Sequence, residues 1–307
     1  GPDSLNGFTK WSVSVAYLDA DRDGALDIMV GNFLAFDPLH ISPGHPEMMP
    51  HPSEYHGQAS ILYRQSGNKT FDDITDTSGM YYPDSKCMGL TVFDYDGDGD
   101  GDILQANDHQ ANFLFRNNGP MKFEEVSIAC GVAVNDQGAP AGSMHPSIGD
   151  VDGDGLIDVL VSDLEHGALY RNLGNGLFED ITSPSGLAAL FTCKGSWAAN
   201  LFDYDNDGDL DIFSANGAAE VLALQPPLLL INNGKGQFTD AGNEGGDYFR
   251  QLRSGRGAAV LDYDNDGDID IIISHVDMHT GAALLRNDNS NENHWLGITL
   301  LSSNGSP

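Results

Sequence analysis

The chain has 307 residues, which suggests two domains unless it is one large all-β unit. Its formal net charge is −32, with only 14 Lys and Arg, so it repels phosphate backbones and anionic headgroups, and nucleic acid is excluded as a partner. No apolar run approaches the roughly 18 residues of a membrane span, and 37 glycines point to many tight turns in an all-β chain.

The predicted elements recur along the chain. Gly1-Pro2 reads as a tag scar or the edge of a mature chain, so a missing secretory leader does not argue for the cytosol. The first unit opens at Trp11 and enters Asp19-Ala-Asp21-Arg-Asp23-Gly24-Ala25-Leu-Asp27. A long connection then runs from Phe33 to Ala59, and two further strands follow at Leu62-Tyr-Arg-Gln-Ser-Gly67 and Phe71-Asp-Asp-Ile-Thr75. In the second unit Leu90-Thr-Val-Phe93 leads into Asp94, Asp96, Asp98, Gly99, Asp100 and Asp102, and Ile103-Leu104 leads out. Asn112 to Gly119 and Lys122 to Val126 supply its third and fourth strands. The third unit carries Asp150, Asp152, Asp154, Gly155, Leu156 and Asp158, then Ile157 to Val161, Leu169 to Gly174 and Phe178 to Thr182. Trp197 to Phe202 enters the fourth loop, Asp203, Asp205, Asp207, Gly208, Asp209 and Asp211, before Leu228 to Gly234. Ala258 to Leu261 enters the fifth, Asp262, Asp264, Asp266, Gly267, Asp268 and Asp270, and Ile269 to Ile273 leaves it. Asn-Gly between apolar runs marks hairpins, because those turns need the positive φ that Asn and Gly tolerate.

The loops recur every 53 to 75 residues, a period that suits four-stranded propeller blades. The predicted fold is therefore an all-β propeller over residues 1–307, with five repeats visible and the acidic loops between strands A and B of each blade. The approximate blades are 11–75, 87–128, 144–182, 196–240 and 256–302, and 33–59 is a Pro/His-rich insertion in the first.

Carboxylates at loop positions 1, 3, 5 and 9, a glycine at 6 and a backbone carbonyl at 7 can wrap a hard cation in oxygen ligands. The position-7 residues are Ala25, Asp100, Leu156, Asp209 and Asp268. Calcium is the expected cofactor, about five ions, because Mg²⁺ demands tighter octahedral geometry and keeps its water. The EF-hand alternative fails. Position 12 holds Val30, Gln105, Val161, Ser214 and Ile273 where a bidentate Glu is required, and a β-type run follows where a helix should. Acidic turns serving solubility alone would not need a glycine at the same position five times.

Leu62 to Gly67 with Phe71 to Thr75, Leu169 to Gly174 with Phe178 to Thr182, and Phe202-Asp-Tyr-Asp-Asn-Asp-Gly-Asp-Leu-Asp-Ile212 resemble the FG-GAP/VCBS-type repeat β-propellers, and within them the cartilage acidic protein and ASPIC/UnbV family. Asn293-His-Trp-Leu-Gly297 resembles the opening of that family's carboxy-terminal segment. The resemblance implies calcium binding and an extracellular or periplasmic location; it does not imply one activity. Two departures stand out: five acidic units where related propellers often carry about seven blades, and a chain that stops at Pro307 where the terminal segment should continue. A fragment, a processed form and a small five-bladed ring all fit.

Up-and-down strands place the acidic loops and the C-D hairpins at one edge, where Arg64, Arg116, Arg171 and Arg286 are expected to neutralise loop carboxylates. His40, His45, His51, His56, His109, His166, His275 and His279 fall in B-C connections at the opposite edge, and His145 is read as immediately preceding an A strand. The His/Met-rich insertion has the ligand types for Cu or Zn, but its spacing is too loose to name ligands. Phe93, Phe202, Leu261, Ile103, Ile157, Ile212 and Ile271 are expected in the core, Trp11 and Trp197 between blades, and Tyr95, Tyr204 and Tyr263 packed over the loops. Asn68 and Asn304 match glycan acceptors, informative only in a eukaryote. The three cysteines, Cys87, Cys130 and Cys193, form no CxxC pair and cannot all be bridged internally.

No GxSxG, HExxH, GxxxxGK[ST] or dinucleotide fingerprint occurs. The expected function is a non-catalytic, calcium-binding module outside the cytosol, presenting loops to a protein partner or another copy. The competing expectation is an enzyme of secondary metabolism using the histidine-bearing edge or the central channel.

Overall fold

Among the described residues, nineteen strands, all paired antiparallel, repeat one meander. The computed structural model describes residues 10–42, 50–67, 70–164, 167–219, 223–276, 281–288, 293 and 295. The first unit is β1 (Ser12–Leu18), β2 (Asp27–Asn32), β3 (Ile61–Ser66) and β4 (Thr70–Asp73). The second is β5 (Cys87–Phe93), β6 (Asp102–Gln110), β7 (Phe113–Asn117) and β8 (Phe123–Glu125), and the third is β9 (Ala141–Gly149), β10 (Asp158–Asp163), β11 (Ala168–Asn172) and β12 (Phe178–Asp180). β13 (Ser196–Phe202), β14 (Asp211–Asn216), β15 (Leu228–Asn232) and β16 (Phe238–Asp240) form the fourth. In the fifth, β17 (Gly255–Leu261), β18 (Asp270–His275) and β19 (Ala283–Leu285) are described. A short bridge between the ends of β6 and β9, Asp108 opposite Gly142, joins the second and third units into one eight-stranded sheet.

The register explains the continuous apolar runs. β6, β10 and β14 are buried on both faces along most of their length, because every inner sheet packs against a unit before it and a unit after it. The first strands of consecutive units lie side by side: β1 by β5, β5 by β9, β9 by β13 and β13 by β17. Between them sit four apolar layers of the same construction. Leu18, Met29 and Leu62 meet Ile103, Phe115 and Phe123 across the first; Phe93, Leu104 and Leu114 meet Val159, Tyr170 and Phe178 across the second.

Short helices after the fourth strands, Thr75–Ser78, Ser127–Cys130 and Leu187–Phe191, are an element that the sequence reading lacks. Threonine explains part of this turn. Thr75 and Thr182 donate both N–H and hydroxyl to Asp73 and Asp180 while accepting the Leu62 and Leu169 amides, which is the physical content of the Asp-Ile-Thr sequence.

Three expectations change. Leu261 is exposed, because no described unit follows the fifth. His145 lies within β9, half-buried, with its Nδ1 at 3.2 Å from the Ala199 carbonyl. Trp11 packs edge-on against Phe33 and Phe36 of the insertion, not between units. The described part of the insertion carries a small apolar cluster, with Phe33, Leu34 and Tyr55 buried together.

Candidate metal centres

Each acidic loop closes a β1–β2-type hairpin in which the position-9 aspartate begins the second strand, opposite the last residue of the first. The pairs are Leu18 and Asp27, Phe93 and Asp102, Gly149 and Asp158, Phe202 and Asp211, and Leu261 and Asp270. The position-1 carboxylate folds the turn. Asp19, Asp94, Asp150, Asp203 and Asp262 each accept the position-5 amide on Oδ1 and the position-6 glycine amide on Oδ2, at 2.8–3.2 Å. Position 6 has φ between 87° and 95°, a region L side chains rarely adopt, which fixes glycine there. Position 4 is also left-handed, and Gly, Asn or, once, Arg22 occupies it.

Asp23, Asp98, Asp154, Asp207 and Asp266, at position 5, each use one oxygen to accept the position-7 amide at 2.8–3.0 Å. Positions 1, 3 and 9 converge. The triads Asp19, Asp21 and Asp27; Asp94, Asp96 and Asp102; Asp150, Asp152 and Asp158; Asp203, Asp205 and Asp211; and Asp262, Asp264 and Asp270 each bring three carboxylate oxygens within 4.8 Å of one another. Positions 5 and 7 stand outside these triads. Among the position-7 residues, Asp100 pairs with Arg22 of the first loop at 2.5 Å and Asp268 accepts from Asn206 of the fourth at 2.6 Å, so neighbouring loops touch.

The position-9 carboxylates are buried, and both oxygens are hydrogen-bonded. Oδ2 accepts the position-2 amide, and Oδ1 accepts an amide at the end of the third strand, that of Gln65, Asn117, Asn172, Asn232 or Asn287. Each oxygen keeps a second lone pair for a cation. Burial, opposed by these hydrogen bonds and reinforced by neighbouring carboxylates, raises Asp102 and Asp211 to about 7 and Asp158 to about 6, and raises Asp27. At position 3 burial is again the main cause that raises Asp96 and Asp205. Oδ1 of Asp21 and Oδ1 of Asp96 are buried with no hydrogen-bond partner. A carboxylate oxygen held out of water beside two other carboxylates is costly unless a cation meets it. Three to four hard oxygen donors, no nitrogen or sulfur, and a flexible turn fit calcium.

The third-strand arginines divide their charge. Arg64 meets Asp21 at 2.5 Å, whereas Arg116 pairs with Glu124 of β8 at 2.6 Å instead of a loop carboxylate. Arg171 and Arg286 hold Glu179 and Asp288 closely, with Asp152 and Asp264 at 3.7 and 3.8 Å. The sequence reading missed the asparagines that close the third strands. Asn117, Asn172, Asn232 and Asn287 each donate their side-chain amide to the position-2 carbonyl of the preceding unit's loop, at Ala20, Tyr95, Val151 and Tyr204. Their recurrence was visible but was absorbed into the turn signal. The first unit carries Gln65 at this place.

The tyrosines grade along the chain. Tyr95 is buried and stacked on Phe178 of the next unit, Tyr204 is half-buried, and Tyr263 is exposed. Of the histidines, His51 and His109 have ring centroids 4.7 Å apart, His40 meets Glu54 at 3.1 Å, and His275 meets Tyr248 at 2.8 Å. They gather no three-ligand metal cluster among the described residues. His45, His166 and His279, and both glycan acceptors, Asn68 and Asn304, lie outside the described residues. Cys87, Cys130 and Cys193 are unbridged.

The FG-GAP-like repeat profile matches residues 94–161, 150–214 and 203–273. The chain belongs to the FG-GAP-like repeat family. It is 27% identical over 203 residues to mouse cartilage acidic protein 1, and 27% identical over 208 residues to the human protein. Each alignment covers 64% of this chain, and 30% and 29% of those relatives, so the chain matches less than a third of their length. Among solved structures it is similar to the biofilm matrix protein Bap1 of V. cholerae, at 15% identity and a TM-score of 0.47, covering 92% of this chain and 38% of that one.

Proposed function

We propose that the protein is a calcium-binding β-propeller module outside the cytosol, with structural or protein-interaction work and no catalytic role. The observation that carries this reading is the fivefold convergence of carboxylates from loop positions 1, 3 and 9, with buried position-3 oxygens of Asp21 and Asp96 that accept no hydrogen bond. Calcium would close each turn onto its own third strand through the position-9 aspartate. The loop stacks on the next unit through the asparagine amide, so filling a site tightens the joint between two units as well as one hairpin. Blade geometry is supported by repeated four-stranded meanders whose first strands lie side by side.

An extracellular location is supported by the match to relatives named for cartilage and by the weak affinity of such oxygen sites, which millimolar calcium fills and cytosolic calcium does not. No helix among the described residues is long and apolar enough to cross a membrane. A partner would meet the rigid loops at either edge of the sheets. Thermal melts in calcium and in EGTA test the reading. Ligation to the folded state alone stabilises by about 2.7 kcal/mol per site at a hundredfold excess over Kd, so melting should fall by many degrees in EGTA; an unchanged melt overturns it.

A further inference from the structure

One place in the second strand does the same work in three units. Asn32, Asn107 and Asn216 stand opposite residues near the start of the first strand. Their side-chain amides donate to the Ala59, Ala111 and Pro226 carbonyls of the connection that follows, at 2.7–2.8 Å. In the third unit this place is Asp163, opposite Ser143, and an ionised carboxylate has no proton to donate. The fifth unit carries His275 there. The next place along departs too: it is Phe33, Leu164, Gly217 and Val276 in four units and Asp108 in the second. Both departures introduce a carboxylate, and both fall beside one cavity of about 100 Å³ walled by the second and third units.

Asp163, 4% exposed, lines this cavity with His109, Gly142, Ser143 and Tyr170. Asp108 is 2% exposed, and its Oδ1 accepts no hydrogen bond. That oxygen lies between two residues of the wall: His109 Nε2 is 3.6 Å away, and a methyl group on Gly142 would stand 3.6 Å from it. β6 and β9 pair here with a break in register at His109, whose φ of 51° is left-handed. Burial raises the Asp108 carboxyl; His109, His51 and Lys86 oppose that shift and Asp163 adds to it. The Lys86 ammonium donates to the Pro52 carbonyl at 2.9 Å, and among the described residues no lysine or arginine bridges to Asp108. No three ligand atoms at this place come within 4.8 Å of one another among the described residues, which disfavours a bare metal ion. A head group with several N–H donors can instead span separated carboxylates, and the net charge of −32 draws cations toward them. The volume suits such a head group and not a whole drug-sized molecule. We propose that the cavity is a binding site for an organic cation, whose ammonium or guanidinium group is held by Asp163 and Asp108 at the edge opposite the acidic loops.

Calorimetric titration of the full chain with n-butylamine, with ethylguanidine and with the neutral 1-butanol tests this, in excess calcium so that the loops do not compete. At least one of the two cations should bind saturably, one per chain, and butanol should not bind. Asp163→Asn and Asp108→Asn keep the side-chain shape and should each weaken binding about tenfold or more, with calcium uptake as in the wild type. Ala141→Leu fills the cavity from a half-buried position in its wall and should abolish binding, which keeps the test open if an aspartate variant melts early. Blocked tripeptides with a central arginine or lysine distinguish the sources of the cation. Binding tighter than that of the bare cation marks a protein side chain as the occupant, and weaker binding marks a free amine. A wild type that binds neither cation saturably overturns the proposal. So does equal binding of butanol, or variants that all bind like the wild type, since the cations would then be spread over the acidic surface. The inference does not rest on calcium: an EGTA-insensitive melt retires the metal reading and leaves cation binding at this cavity unaffected.

Discussion

Asp96 shows at the scale of one side chain how the loop is poised. Its position-1 and position-9 neighbours, Asp94 and Asp102, spend oxygens on backbone amides, while Oδ1 of Asp96 is buried and unpartnered. On the proposed calcium reading its work is to meet a cation more than to fold the turn. Asp96→Asn should weaken the calcium site of that loop by about tenfold or more, the order in which ligand charge tunes oxygen sites. In EGTA it should leave the melt unchanged or raised. Calorimetric titration that finds all sites intact would assign the oxygen another role. Positions 1, 5, 6 and 9 were legible in the sequence, because a turn this tight demands both the carboxylates and the glycine. The division of labour among them was not, since an aspartate that accepts amides and one that waits for a cation are written with the same letter.

At the scale of the element, the same leucine has two costs. Leu169 of β11 is fully buried between the third and fourth units, and Leu284 of β19 occupies the same register with no described unit beyond it. Leu169→Ala should cost about 2–5 kcal/mol by urea unfolding, and Leu284→Ala in dilute protein under about 1 kcal/mol. Equal costs would show that the fifth unit's outer face is covered. Strand periodicity predicted the apolar positions of all five units alike, including Leu261. A strand records that a face is apolar but not whether anything lies against it, so the exposed ends emerged only from the packing. The one-turn helices Thr75–Ser78 and Ser127–Cys130 were hidden for a different reason: each is too short to show a period, and each depends on side-chain bonds and on a left-handed glycine, Gly79 or Gly131.

At the scale of the molecule, the loops set the response to pH. Burial raises Asp102 and Asp211 to about 7 and Asp158 to about 6 in the folded chain, against roughly 3.9 when unfolded. The folded state therefore holds protons that the unfolded state releases. These groups add stability that is fully present below the unfolded value and is lost as pH rises through 6 to 7. Calcium requires the same groups ionised. The increment in melting temperature between calcium and EGTA should thus grow from about pH 5 to about pH 7.5, and an increment that shrinks over this window would contradict the linkage. Taking the increment removes groups remote from the loops, such as half-buried His145, whose pKa is lowered by desolvation.

The charge that opened the sequence belongs to this argument too, since 23 of the 46 acidic residues stand in the five loops, and five calcium ions would bring −32 to −22. The most direct test of the central claim is therefore a count. Equilibrium dialysis of the full chain against millimolar calcium, followed by elemental analysis, should find about five calcium ions per chain, all removed by EGTA. A chain that retains none at that concentration would contradict the account.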